Sequence, residues 1–174
     1  LASNEFRAEF DDRILGVIRG IGLSNDGRGH GLLAPSEEGQ IAAMESAYAF
    51  AGLEPKDVSL LECHATGTRV GDGVEIRSTS RIFGSHRVAA GSVKGNLGHL
   101  ITSAGMAALA KTLTAFDRGV RPPSARIDEP VDELRDSSLR LLQAPEAWDS
   151  QGPRRAALSA FGFGGNNAHL IVEE

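Results

Sequence analysis

Short apolar runs and helically spaced apolar positions succeed one another along the chain. Residues 1–12 are polar and read as poorly ordered or packed on neighbours outside the chain. Arg13–Gly22 (RILGVIRGIG) reads as a strand, with Ile14, Val17, Ile18 and Ile21 mostly buried. Ser24–Pro35 is a glycine-rich connector. Ser36 suits an N-cap, and Ile41, Met44, Ala47, Tyr48 and Ala51 then recur at helical spacing. Gly52 stands where a helix-ending glycine belongs. A turn at 54–57 leads to a short strand, Val58–Cys63, a polar loop from His64 to Gly71, and a helix from Asp72 to Phe83. Arg87–Val93 reads as a strand and Lys94–His99 as a loop. Ile101–Arg118 is a helix of small apolar residues, apolar nearly all round and therefore expected to be buried. Pro122-Pro123 opens an irregular segment that runs to about Asp136, and Leu139–Leu142 is a short strand. Arg155–Ala160 and Ala168–Val172 read as antiparallel strands around the loop 161–167. Strands and helices alternate, which predicts an α/β layer arrangement.

Three polar, glycine-rich loops follow predicted strands, where open α/β sheets bind ligands. The first carries His64, then Thr66 and Thr68 around Gly67, with Glu75 eleven residues on from the histidine. A lone histidine at a strand end is more often a structural hydrogen-bonder than a catalyst, and Glu75 alone reads as a solvated or capping acid. The second loop ends on His99, just before the apolar helix, where the helix dipole favours a neutral imidazole able to polarise a carbonyl. Lys94 in that loop reads by itself as a surface lysine, or as a partner for Glu75. The third loop, Gly162-Phe163-Gly164-Gly165-Asn166-Asn167, allows backbone N–H groups to approach an oxyanion, and equally allows a plain tight hairpin.

Composition narrows the classes. The chain of 174 residues carries a net charge of −5, with acids and bases interspersed, which argues against a nucleic-acid groove. No apolar run is long enough to span a bilayer. One cysteine, Cys63, rules out an internal disulfide and fits a reducing cytoplasm. The first residue is leucine rather than methionine, which suggests a fragment, a processed or trimmed piece, or one half of a split protein whose other half is a separate polypeptide, and no signal peptide is evident. Loop histidines would permit a metal hydrolase using His64, His99 and Glu75 with His86 or His30, but no compact metal-binding spacing supports it.

Taken together and in order, Glu62-Cys63-His64-Ala65-Thr66-Gly67-Thr68 with Gly71-Asp72, then Lys94-Gly95-Asn96-Leu97-Gly98-His99, then Phe161 to His169 resemble three successive signatures of the β-ketoacyl synthases. Val17-Ile18-Arg19-Gly20 and Gly31-Leu32-Leu33-Ala34-Pro35 look like the modular polyketide synthase version. The resemblance covers nearly the whole chain. It implies a thiolase-like α/β fold, with this chain forming the C-terminal half of a five-layer αβαβα sandwich. Residues 1–35 would supply the final strand of the N-terminal half plus a connector, and residues 36–174 the C-terminal half. Ala65 stands where the family usually has glycine, Asn166 where it has threonine, and Leu100-Ile101-Thr102-Ser103 replace a common threonine/glutamine/alanine stretch.

The resemblance also implies a chemistry, decarboxylative Claisen condensation. A nucleophilic cysteine in the N-terminal half, which is not Cys63, would hold an acyl chain. A malonyl-type unit would arrive on the phosphopantetheine arm of an acyl carrier protein, with no metal or other cofactor bound directly. His64 and His99 would stabilise the enolate, Lys94 and Glu75 would form a supporting ion pair, and the backbone N–H of Phe163 would serve the oxyanion hole. Thr66 and Thr68 would hold the phosphopantetheine arm, with Asn96, Gly164, Gly165 and Asn166 as further substrate contacts. The implied partners are the N-terminal half, the carrier protein and a second copy in a homodimer, with neither nucleic acid nor membrane. A non-catalytic partner of the chain-length-factor type is the alternative; such homologues tend to lose the histidines that stand here.

Overall fold

The computed structural model describes residues 14–27 and 34–174. The expectations for residues 1–12 and for half of the Ser24–Pro35 connector, residues 28–33 with His30 included, fall outside the described residues. Chain order is β1 (Val17–Asn25), α1 (Glu37–Ala51), β2 (Leu60–Glu62), α2 (Arg69–Phe83), β3 (Val88–Gly91), α3 (Lys94–Leu97), α4 (Ala104–Arg118), β4 (Val120–Arg121), β5 (Leu139–Leu141), β6 (Glu146–Ala147), β7 (Arg155–Phe161) and β8 (Asn166–Glu173). Six strands form one sheet in the order β1-β8-β7-β2-β3-β5, and β4 pairs with β6 separately. β7, β2, β3 and β5 run parallel, so their carboxyl ends share one edge. β8 runs antiparallel between β1 and β7.

Side chains alternate across the parallel strands and feed two cores. Leu61, Ala90, Ala157 and Ile171 pack with Tyr48 of α1 and Ile76 and Phe83 of α2. Leu60, Ala89, Ala156, Leu158 and Val172 pack on the other face with Ala108, Ala115 and Phe116 of α4 and with Trp148. Both faces of the central strands are covered, which is why they read as short unbroken runs of small and apolar residues. Trp148 closes the second core against Phe116, ring centroids 5.1 Å apart, and its indole Nε1 donates to Ser59 Oγ at 2.8 Å.

The Ser36 hydroxyl caps α1 by accepting from Gly39 N at 3.2 Å, and Gly52 ends that helix at φ 62. Four expectations need correction. First, β1 runs from 17 to 25, not 13 to 22, and its large side chains face outward: Ile18 is 50% exposed and Leu23 70%. Glycines face α1 instead, because a Cβ at Gly20 or Gly22 would collide with the carbonyl oxygen of Ala47 or Ala43. Close strand–helix approach thus excludes side chains from the inner face. Second, α2 begins three residues before Asp72. Thr68 is its N-cap, accepting from Gly71 N at 3.3 Å, and Asp72 lies in the first turn, where its charge suits the helix dipole. Third, Lys94–Leu97 is a single helical turn rather than a loop, closed by Gly98 at φ 77. Fourth, α4 is buried along one face only, at Ala108, Thr112, Ala115 and Phe116, while Met106 is 68% exposed. Within the described residues the six-stranded sheet covers that one face. Among the described residues no helix is long and apolar enough to cross a membrane.

Candidate functional site

Three adjacent parallel strands end at the same edge, and each delivers one of the three loops. β2 leads into His64, β3 into Lys94 and His99, and β7 into the 161–167 turn. The His64 and His99 rings meet edge to face, with centroids 5.5 Å apart at an interplanar angle of 82°. His64 also meets Phe161 edge-on at 5.9 Å. Residues 97 positions apart along the chain (from 64 to 161) thereby line one spot. His64 is half-buried and His99 exposed. Burial first, then the Lys94 ammonium and the His99 ring, lowers the pKa of His64 to about 4. At neutral pH His64 is therefore a neutral imidazole, with one N–H to donate and one nitrogen to accept.

Glu75, on α2, is buried directly behind this pair. Its two carboxylate oxygens accept the backbone N–H groups of His64 and Ala65, both at 2.7 Å. That grip fixes the backbone leaving β2, where Ala65 takes φ 31. Glycine tolerates that conformation and alanine does so only under strain. Burial raises Glu75 to about 7, opposed by the two backbone donors. Among the described residues no ion pair joins Glu75 to Lys94, so the direct pairing expected from sequence is not formed. Both oxygens of Glu75 are engaged by backbone donors, and Lys94 acts on it only through its charge. Burial likewise lowers the pKa of Lys94, against the pull of the Glu62 and Glu75 carboxylates.

Thr66 and Thr68 are exposed beside this pair with their hydroxyls 3.3 Å apart, and Asp72 accepts from Gly67 N at 3.2 Å to close the turn between them. Asn96 is exposed on α3. Past His99 the backbone leaves through Leu100 and Ile101 at φ 56 and 46, and residues Ile101–Ser103 form a 3₁₀ turn ahead of α4. A cavity of about 790 Å³ opens beneath the loops, lined by Thr66, Glu75, Lys94, His99, Arg126 and Ile127 among others.

The third loop is a hairpin turn and also a pinned one. Residues 163–165 form a 3₁₀ turn, with Gly164 at φ 77 and Gly165 at φ 75. Asp26, just past β1, donates its backbone N–H to Gly165 O at 2.9 Å, and its carboxylate accepts from Asn167 Nδ2 at 2.6 Å. Asn166 Oδ1 accepts from Asn25 Nδ2 at 2.8 Å. The backbone of Phe163 is held within this turn. Sequence reasoning missed the roles of Asp26 and Asn167, which it placed in the connector and in the loop 161–167; only the structure puts Asp26 just past the end of β1 and Asn167 within β8. It also missed Glu62 and Lys111, whose carboxylate and ammonium pair at 2.6 Å under the site. Among the described residues no three histidine, cysteine or carboxylate side chains converge to hold a metal ion.

Comparisons with known proteins agree with this arrangement. The family model described as "Beta-ketoacyl synthase, C-terminal domain" matches residues 15–128. A phenolphthiocerol/phthiocerol polyketide synthase of Mycobacterium tuberculosis is 39% identical over 171 residues, covering 94% of this chain and 9% of that protein. The ketosynthase from module 6 of the bacillaene synthase of Bacillus subtilis 168 superposes with a TM-score of 0.91 at 32% identity, over 98% of this chain and 34% of that one. A ketosynthase–chain length factor, PfaC, superposes at 0.87 with 38% identity, over 98% of this chain and 19% of that one. The chain thus spans about a third or less of the length of these relatives. The sheet, the placement of its loops and these likenesses agree: the chain belongs to the β-ketoacyl synthase family, in the thiolase-like fold of polyketide-synthase ketosynthases, and carries the family's C-terminal domain.

Proposed function

We propose that this chain supplies the decarboxylation half of a β-ketoacyl synthase site and that an N-terminal ketosynthase half supplies the nucleophilic cysteine. In this proposal residues 1–35 contribute the last strand of that first half plus a connector, and residues 36–174 form the second half. The observation that carries it is the approach of the His64 and His99 rings to 5.5 Å beside the 161–167 turn.

The cysteine thiolate attacks an acyl thioester, and the carrier thiolate leaves. A malonyl thioester on the phosphopantetheine arm of an acyl carrier protein then enters past Thr66, Thr68 and Asn96. Its carbon–carboxylate bond breaks, carbon dioxide departs, and the electron pair passes into the enolate of the thioester. His99 and the neutral ring of His64 donate hydrogen bonds to the enolate oxygen, and the half-buried Lys94 ammonium favours its charge. Glu75 takes no part in proton transfer; it holds the backbone at His64 and Ala65. The enolate carbon attacks the enzyme-bound acyl carbonyl. The backbone N–H of Phe163, in the turn shaped by Gly164, Gly165 and Asn166, donates to the resulting oxyanion, a contact worth roughly 3–4 kcal/mol of barrier. The cysteine thiolate is expelled, and a β-ketoacyl thioester remains on the carrier. We further propose that the assembled synthase is a homodimer.

The second reading is a non-catalytic partner that shapes chain length, and a structure that pairs a keto synthase with a chain length factor is among those this chain resembles. The test is malonyl decarboxylation by the chain assembled with its N-terminal half. Wild type should release carbon dioxide and His99→Ala should not. Normal release by His99→Ala would overturn the role of the imidazole pair, and no release by wild type would favour the second reading.

A further inference from the structure

Glu62 is the last residue of β2 and only 1% exposed. The alternation that sends Leu61 toward α1 and α2 sends Glu62 to the opposite face, beneath α4. Its carboxylate has two partners there. Oε1 accepts the backbone N–H of Val93 at 2.5 Å, and Oε2 accepts Lys111 Nζ at 2.6 Å. Gly91 leaves the room, since a Cβ there would lie 2.7 Å from Ser124 Oγ and 3.6 Å from Lys111 Nζ.

Each end of this bridge belongs to a segment that carries a site residue. Glu62 precedes His64 by two positions on the strand that delivers it. Val93 immediately precedes Lys94. Lys111 lies on α4, the helix that follows His99. One carboxylate therefore ties together three segments that meet at the site from different parts of the chain. Burying two charges is a poor route to stability alone, because the cost of desolvating them offsets their attraction. What the pair supplies is a fixed spacing.

We infer that the Glu62–Lys111 ion pair is a positioning device that holds His64, Lys94 and His99 at the mutual distance malonyl decarboxylation requires. The inference rests on the roles proposed above for the two histidines. Neither Glu62 nor Lys111 touches substrate; they act through the backbone of β2, the Val93–Lys94 turn and α4. Displacements of about an ångström at a reacting centre cost as much as a hundredfold in rate, so loosening this tie should be visible in one half-reaction and not in the other.

The assay uses the chain assembled with its N-terminal half, malonyl-loaded acyl carrier protein and a short acyl thioester. Decarboxylation and acylation of the nucleophile are followed separately by mass spectrometry. Lys111→Met should lower kcat for decarboxylation at least tenfold while the carrier KM and the acylation rate change by less than about threefold. Lys111→Arg, which keeps a charged donor, should recover most of the loss. Because Lys111→Met strands a buried carboxylate and risks misfolding, Glu62→Leu combined with Lys111→Met provides a second variant with no unmatched charge. It should fold and show the same selective loss. Equal loss in both half-reactions, or full decarboxylation by the double variant while His99→Ala is inactive, would overturn this inference alone. Normal decarboxylation by His99→Ala would overturn the parent proposal and this one with it.

Discussion

Glu75→Gln isolates the energetics of the carboxylate behind the site. Glu75 is 4% exposed, and both its oxygens accept backbone N–H groups at 2.7 Å. Burial nevertheless raises its pKa from 4.5 to about 7. The folded state thus keeps this proton in a range of pH where the unfolded chain has released it. Stability from this group is fully present below pH 4.5 and is lost as pH rises toward 7. At about 1.4 kcal/mol for each pKa step, the loss amounts to about 3 kcal/mol. Glutamine has no proton to release, so Glu75→Gln removes the pH dependence. In exchange it offers one acceptor to two backbone donors, a constant penalty of about 1–3 kcal/mol. The difference in unfolding free energy, variant minus wild type, should therefore move in the variant's favour by about 3 kcal/mol between about pH 4.5 and pH 8. Other titrating groups contribute to both proteins and cancel. Urea unfolding followed by the fluorescence of Trp148, the single tryptophan and 1% exposed, reads the difference directly. Parallel stability curves across this range would refute the account of Glu75 as a desolvated carboxylate held by backbone donors.

Two further outcomes follow from the same geometry. Titration of His64 by NMR should show its ring taking up a proton near pH 4, since burial, Lys94 and His99 all disfavour the imidazolium; a midpoint near 6.5 would mean the ring is solvated and unperturbed. Gly165→Ala should destabilise the third loop, because φ is 75 and the new Cβ would lie 2.7 Å from Asp26 Cβ. The backbone and steric costs together come to about 2–5 kcal/mol, or roughly 5–15 °C in Tm by thermal melt, and an unchanged Tm would show that the turn is not pinned as described.

Local pattern carried far in this chain. Helix α1 was legible at both ends because Ser36 and Gly52 meet steric and hydrogen-bonding demands that act within one turn. The same is true of the hairpin around 161–167, and the order of three glycine-rich motifs pointed to the family before any fold was known. The outward face of β1 was misjudged because periodicity cannot say which side a helix will occupy. The collision that glycine avoids at positions 20 and 22 is with α1, a separate element. The helix start at Thr68 was missed because two N-cap residues stood within four positions, and only the backbone path decides between them.

The residue types of the site, and their placement after strands, follow from local sequence, since a strand end and a glycine turn are local matters. Which groups meet is a matter of long-range packing. Parallel pairing of β7, β2 and β3 brings loops from distant parts of the chain to one edge, and that pairing depends on the covering of both sheet faces. The same packing gave Glu75 two backbone donors in place of Lys94, and paired Glu62 with Lys111 beneath them. Partners of buried charges are set by which surfaces lose water together, a property of the assembled core that no single stretch of residues contains.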